Sequence, residues 1–165
     1  MDSHDDRTES CLFSSLFSPA EVICRTPETD RDKVLRGLLR LLAQRASIGD
    51  IDEALRAVLV REDDLPTIVA PGMAMPHARL ETLSGLVVGI ATSEQGILFD
   101  PRSPDSFVKL IVLTLTPKNA PGAYLQAISS LARVCQDPST ADMVANLPTA
   151  EDVWSFFDKG ATARR

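Results

Sequence analysis

The chain has 165 residues, 44% of them hydrophobic and 24% charged, which suits one globular domain and excludes a disordered, collagenous or fibrous bulk. With 17 Lys and Arg against 23 Asp and Glu, its net charge of -6 has the wrong sign for a nucleic-acid-binding surface. The three cysteines, Cys11, Cys24 and Cys135, are odd in number and form no CxxC pair, so reduced thiols and a cytoplasmic location are expected, without a disulfide framework.

Residues 1–17 begin with the acidic run MDSHDDRTES and continue with a short apolar stretch broken by serines, which predicts a flexible extension and no signal peptide. Glu21-Val22-Ile23-Cys24 reads as a short edge strand stopped at Thr26-Pro27. From Thr29, a candidate cap, Val34, Leu35, Leu38, Leu39, Leu41 and Leu42 recur at helical spacing and predict a buried amphipathic helix ending near Ala46. Asp50 opens a second helix, with Ile51, Leu55, Val58 and Leu59 on one face, that runs to about Glu62.

The middle of the chain is strand-like. Thr67 to Val69, Met73 to Met75, Leu86 to Ala91, Ile97 to Phe99 and Phe107 to Leu115 are apolar segments bounded by Pro, Gly and Asp. Helices return after Pro121, with Leu125, Ile128, Leu131 and Ala132 expected on one buried face. Ser139 and Thr149, each followed three residues later by an aspartate, predict two short helices around Met143 to Leu147 and Val153 to Phe157. Cys24 and Cys135 fall in apolar patterns as small core residues, and Trp154 is placed to pack the last helix on the body. Helices, then strands, then helices imply an α/β or α+β sandwich. No apolar run approaches the roughly 20 residues needed to cross a bilayer, so membrane insertion is not expected.

The segment Pro71-Gly72-Met73-Ala74-Met75-Pro76-His77-Ala78-Arg79-Leu80 carries the chemistry. It brings His77 to the end of an apolar strand, behind a proline that fixes the preceding backbone, where a sheet delivers side chains to its rim. Neutral imidazole is a competent nucleophile near pH 7, and one ring nitrogen can take a phosphoryl group while the other is held by a hydrogen bond. By position alone, Arg61 also fits a solvated helix-end charge, and Thr67 an ordinary strand hydroxyl. The chain holds only two histidines, His4 and His77, too few with its scattered cysteines for a structural zinc site.

This segment, with Arg61-Glu62 upstream, resembles the enzyme IIA domain of the fructose/mannitol/nitrogen class of the bacterial phosphotransferase system. In that family an Arg-Glu pair ends a helix, a hydroxyl-containing stretch comes next, and a G-[apolar]-A-[apolar]-P-H signature leads to the phosphorylated histidine. These read here as Arg61-Glu62, Thr67 and Gly72-Met73-Ala74-Met75-Pro76-His77. The likeness runs from about Phe17 to Phe157 and implies such a domain over residues 18–158, followed by a tail over 159–165. The fold it implies is α/β, a mixed sheet of about five strands covered by helices on both faces.

The activity it implies is that of a phosphocarrier, without a cofactor. His77 would accept a phosphoryl group from the phosphohistidine of HPr or its nitrogen-branch counterpart, Arg61 would meet the transition-state charge, and Thr67 would hydrogen-bond the phosphate. The onward partner would be a regulatory target protein or a sugar permease component. Three positions depart from the family pattern. Tyr124 stands where the family has a second histidine, Pro71 where it commonly has a polar or acidic residue, and Pro66 at a hydroxyl position. A tyrosine cannot become a cation near pH 7, and proline has no N–H to offer a phosphate. These departures favour a regulatory phosphocarrier over a sugar-feeding one, with an unphosphorylated docking module as the alternative.

Overall fold

The computed structural model describes residues 16–119, 125, 129, 131, 133, 135 and 137–163; residues 1–15 of the extension expected over 1–17, the start of the helix after Pro121, Tyr124, Ile128 and Ala132 lie outside the described residues. Six strands form one mixed sheet: β1 (Val22–Ile23), β2 (Ile68–Ala70), β3 (Met73–Ala74), β4 (His77–Leu80), β5 (Val87–Leu98) and β6 (Phe107–Pro117). The order is β1-β5-β6-β3-β2, and β4 continues along β6 beyond β3. Strands β5 and β6 are antiparallel, whereas β1 runs parallel to β5 and both β3 and β4 run parallel to β6.

The sheet is covered on both faces, which explains the near-continuous apolar run in β6. Ile111, Leu113 and Leu115 turn to one face and meet Leu35, Leu38, Leu39 and Leu42 of helix α1 (Arg31–Ala43) and Leu55 and Val58 of helix α2 (Ile51–Asp64). Leu110 and Val112 turn to the other face and join Leu131, Val144 of α3 (Thr140–Ala145), and Val153 and Phe157 of α4 (Ala150–Ala163). Phe17 belongs to this second layer, edge-to-face on Phe157 at 6.1 Å, and its carbonyl accepts the Trp154 indole N–H at 3.0 Å. The chain is therefore already docked at Phe17, and its last helix continues past Phe157 to Ala163.

Several local expectations shift for identifiable reasons. Asp30, not Thr29, caps α1, its carboxylate accepting the Asp32 N–H at 3.0 Å. The segments expected at Leu86 to Ala91 and Ile97 to Phe99 merge into the single strand β5, Val87–Leu98, because the polar stretch between Thr92 and Ile97 is absorbed as a register shift with Gly96 at φ 96°. Ser139 precedes α3 without a side-chain cap, whereas Thr149 caps α4 by accepting the Asp152 N–H. Of the helix after Pro121, Leu131 is fully buried as expected but Leu125 is exposed.

Residues 73–80 form in effect one strand laid beside β6. Met73 and Ala74 pair with Leu110 and Ile111, and after an interruption His77 and Ala78 pair with Thr114 and Leu115 in the same register. The interruption falls at Met75-Pro76, where proline has no N–H for the ladder; its carbonyl still accepts the Thr114 N–H at 3.0 Å. Upstream, Pro71-Gly72 makes the two-residue turn joining β2 to β3, with Gly72 at φ 72°. Its would-be Cβ lies 3.3 Å from the Ala141 methyl group. Gly72→Ala is therefore expected to cost about 1–2 kcal/mol from the left-handed backbone alone. Urea denaturation checks this, and an unchanged midpoint would contradict the turn geometry.

Candidate functional site

Helix α2 divides the Arg61-Glu62 pair between two jobs, because adjacent helical residues point about 100° apart. Ala57 and Arg61, one turn apart, share a face that looks into a cavity of about 410 Å3; the described residues lining it are Ala57, Arg61, His77, Ala78, Arg79 and Thr116. Glu62 turns inward and is only 2% exposed. The helix ends at Leu65, whose extended backbone is what a residue before proline adopts, so Pro66 acts as the stop that lets Thr67 double back.

Glu62 then fastens the returning chain. One carboxylate oxygen accepts the Thr67 N–H at 2.7 Å, and the other accepts the Thr67 hydroxyl at 2.8 Å. The Thr67 carbonyl in turn accepts the Met75 N–H at 2.9 Å. The Met75 carbonyl lies 3.4 Å from His77 Nδ1. An unbroken series of hydrogen bonds thus runs from the last turn of α2 to the imidazole.

His77 is half-buried at the start of β4. Burial holds its pKa below the ordinary 6.5; the Met75 carbonyl opposes this, and the charges of Arg61 and Arg79 add to the lowering. The ring is therefore neutral at pH 7. A proton on Nδ1 directed at Met75 leaves the lone pair on Nε2, the nitrogen that can attack an electrophile.

The structure brings His77 and Arg61 together, as the sequence suggested, but it places Thr67 differently. Its single hydroxyl hydrogen goes to Glu62, and Thr67 is not among the cavity residues, so it fixes the strand instead of presenting a donor to a phosphate. Pro71 and Pro66 also lie away from the cavity wall, the first in the β2–β3 turn and the second at the end of α2, so neither removes a donor from it. Arg79 and Thr116 were not anticipated. Reading His77-Ala78-Arg79-Leu80 as a strand would have put Arg79 on the His77 face, since alternate residues share a side.

Burial raises the Glu62 pKa above its ordinary 4.5, against the Thr67 bonds and the Arg31 and Arg61 charges that lower it. A carboxyl pKa raised by folding contributes stability below the unfolded value, and that contribution is lost as pH rises through the folded one. The advantage of the native chain over Glu62→Gln should accordingly shrink as pH rises above the ordinary 4.5 in denaturation curves; an advantage that grows with pH would contradict the dominance of burial. Glu62→Ala, which orphans the Thr67 donors, should cost about 2–3 kcal/mol.

Residues 15–160 match the family model described as "Phosphoenolpyruvate-dependent sugar phosphotransferase system, EIIA 2". The chain is 33% identical over 120 residues to the fructose-specific EIIA component of the phosphotransferase system of Haloferax volcanii, covering 72% of this chain and 77% of that protein. Its fold matches the nitrogen regulatory protein IIA-Ntr of Neisseria meningitidis with a TM-score of 0.77 at 22% identity, covering 88% of this chain and 99% of that one. It also matches the mannitol enzyme IIA of Escherichia coli, solved in complex with phosphorylated enzyme IIB, with a TM-score of 0.72 at 18% identity over 87% and 97% of the two chains. With a half-buried histidine at the rim of the same mixed α/β fold, the chain belongs to the EIIA 2 family of the phosphoenolpyruvate-dependent sugar phosphotransferase system.

Proposed function

We propose that this protein is a phosphocarrier whose acceptor is His77, charged by the phosphohistidine of an HPr-like protein. The observation that carries the reading is a neutral, half-buried imidazole whose Nδ1 faces the Met75 carbonyl, in the wall of a cavity shared with Arg61. Membership of the EIIA 2 family supports it.

In this reading the Nε2 lone pair of His77 attacks the phosphorus of the donor phosphoimidazolium. The new P–N bond forms as the bond to the donor ring breaks, and the donor leaves as a neutral imidazole because its other nitrogen keeps its hydrogen. His77 likewise keeps its Nδ1 proton, now in a phosphoimidazolium, and the Met75 carbonyl stabilises the positive ring. Both rings retain their protons, so the transfer needs no separate acid or base. The transition state is loose, with negative charge on the transferred oxygens, so alignment and the Arg61 guanidinium are what the protein supplies.

A protein donor and a protein recipient suit the surroundings. Val60 on the last turns of α2, Leu65 at its end and Val69 on edge strand β2 are large exposed apolar residues close along the chain to Arg61 and the Glu62 anchor. The mannitol relative is solved with a phosphorylated enzyme IIB, which supports a recipient of that kind. A regulatory output in place of sugar delivery now rests on Tyr124 alone, since Pro66 and Pro71 lie away from the cavity, and the fructose-specific name of the 33% identical relative weighs toward delivery. We therefore rank the phosphocarrier reading first and its regulatory output second.

Incubation with phosphoenolpyruvate, enzyme I and HPr should add one acid-labile phosphoryl group to the native chain and none to His77→Ala, measured by intact mass. No gain by the native chain, with a known acceptor labelled in parallel, would refute the reading. Subsequent addition of a fructose- or mannitol-type enzyme IIB separates the outputs: prompt loss of the label marks sugar delivery, and retention marks the regulatory branch.

A further inference from the structure

We infer that Arg79 is a second phosphoryl-binding cation, forming with Arg61 a two-arginine clamp on the group carried at His77. The inference rests on the phosphocarrier reading above and goes beyond it by assigning a residue and a charge count to the site. Arg79 lies two residues from His77 along β4, so both side chains leave the same face of the strand, about 6.6 Å apart at the backbone. Arg61 lines the cavity from α2 and Arg79 from β4, so the two arginines border it from different elements, with His77 also in the wall.

Arg79 is exposed and holds no carboxylate directly. A second cavity, of about 250 Å3, also borders Arg79 and is lined by Asp50, Glu53 and Glu81, any of which could have paired with it. Glu81 is taken by Lys118 at 2.9 Å, Asp50 caps α2 through the Glu53 N–H at 3.0 Å, the Glu53 carboxylate pairs with no cation among the described residues, and none of the three lies within 4.0 Å of an Arg79 nitrogen. Arg61 likewise makes no ion pair among the described residues. Five other arginines of the described chain, Arg25, Arg31, Arg36, Arg45 and Arg102, each hold a carboxylate, whereas Arg40 and Arg56 hold none within 4.0 Å; what sets Arg61 and Arg79 apart is that both line the His77 cavity. Two unpaired guanidinium groups beside one neutral imidazole suit a dianionic phosphoryl group, which each can grip through two N–H donors. Both charges are near enough to the ring to add, after burial, to the lowering of the His77 pKa. The clamp also provides a second cation in a chain where Tyr124 cannot provide one.

The test compares the native chain with Arg79→Gln and Arg79→Lys in three measurements. By NMR, the midpoint of the His77 titration should rise in Arg79→Gln and stay near native in Arg79→Lys. Titration with inorganic phosphate, followed on the His77 ring signals, should show affinity about threefold or more weaker in Arg79→Gln. The initial rate of phosphoryl acceptance from phospho-HPr should fall about tenfold in Arg79→Gln, the scale of one charge-assisted hydrogen bond, with partial recovery in Arg79→Lys. A Gln variant with native phosphate affinity and a native His77 midpoint overturns the inference, whether or not its rate falls, since a rate change alone would reflect altered docking. If the native chain accepts no phosphoryl group the phosphocarrier reading fails, and the two titrations still decide whether Arg79 binds phosphate beside His77.

Discussion

The buried Glu62 carboxylate joins the end of a helix to a strand that would otherwise meet it only through side-chain packing. It accepts two hydrogen bonds from Thr67, and through the Thr67 carbonyl and the Met75 N–H it fixes the interrupted strand from which His77 emerges. Burying a carboxylate is unfavourable, as its raised pKa records, and both of its oxygens are satisfied by donors that lie five residues along the chain. The adjacent residue, Arg61, turns away from Glu62 and into the cavity. One pair of neighbouring residues thus holds the imidazole and supplies a charge beside it.

The sheet makes that arrangement possible. With β6 buried on both faces and β3 and β4 laid end to end along it, and with Pro76 restricted by its ring, the backbone from Met73 to Leu80 has little freedom. The missing N–H at Pro76 breaks the ladder without shifting its register, so the strand is interrupted at Met75-Pro76 and resumes as β4 with His77 first. The same alternation that sends Ala78 and Leu80 into the core sends His77 and Arg79 toward the rim. Packing and chemistry are two faces of the same four residues.

Much of this was legible in the sequence. Leucines at helical spacing marked α1, the Asp50 cap marked α2, and the Gly72 to His77 signature pointed to both the family and the candidate acceptor. Features that depend on contacts distant along the chain were harder to see. Thr67 reads as a free hydroxyl until Glu62 is known to be turned inward, and Pro71 and Pro66 read as lost donors until one is found in a turn and the other at a helix end. Arg79 escaped notice because a His-Ala-Arg-Leu segment behind a proline has weak strand character by composition; only pairing with β6 makes it a strand. Asp30 displaced Thr29 as the α1 cap because side chains one residue apart offer similar oxygens, and backbone geometry chooses between them.

Everything proposed for the site turns on the series of hydrogen bonds beginning at Glu62, which presents His77 as a neutral ring with its proton on Nδ1 and its lone pair on Nε2. Long-range 1H–15N correlation spectra of the His77 ring at pH 7 read this directly, because protonated and unprotonated ring nitrogens resonate far apart. A protonated Nδ1 and an unprotonated Nε2 are expected in the native chain. The reverse tautomer, or a ring protonated on both nitrogens at that pH, would contradict this presentation of the ring.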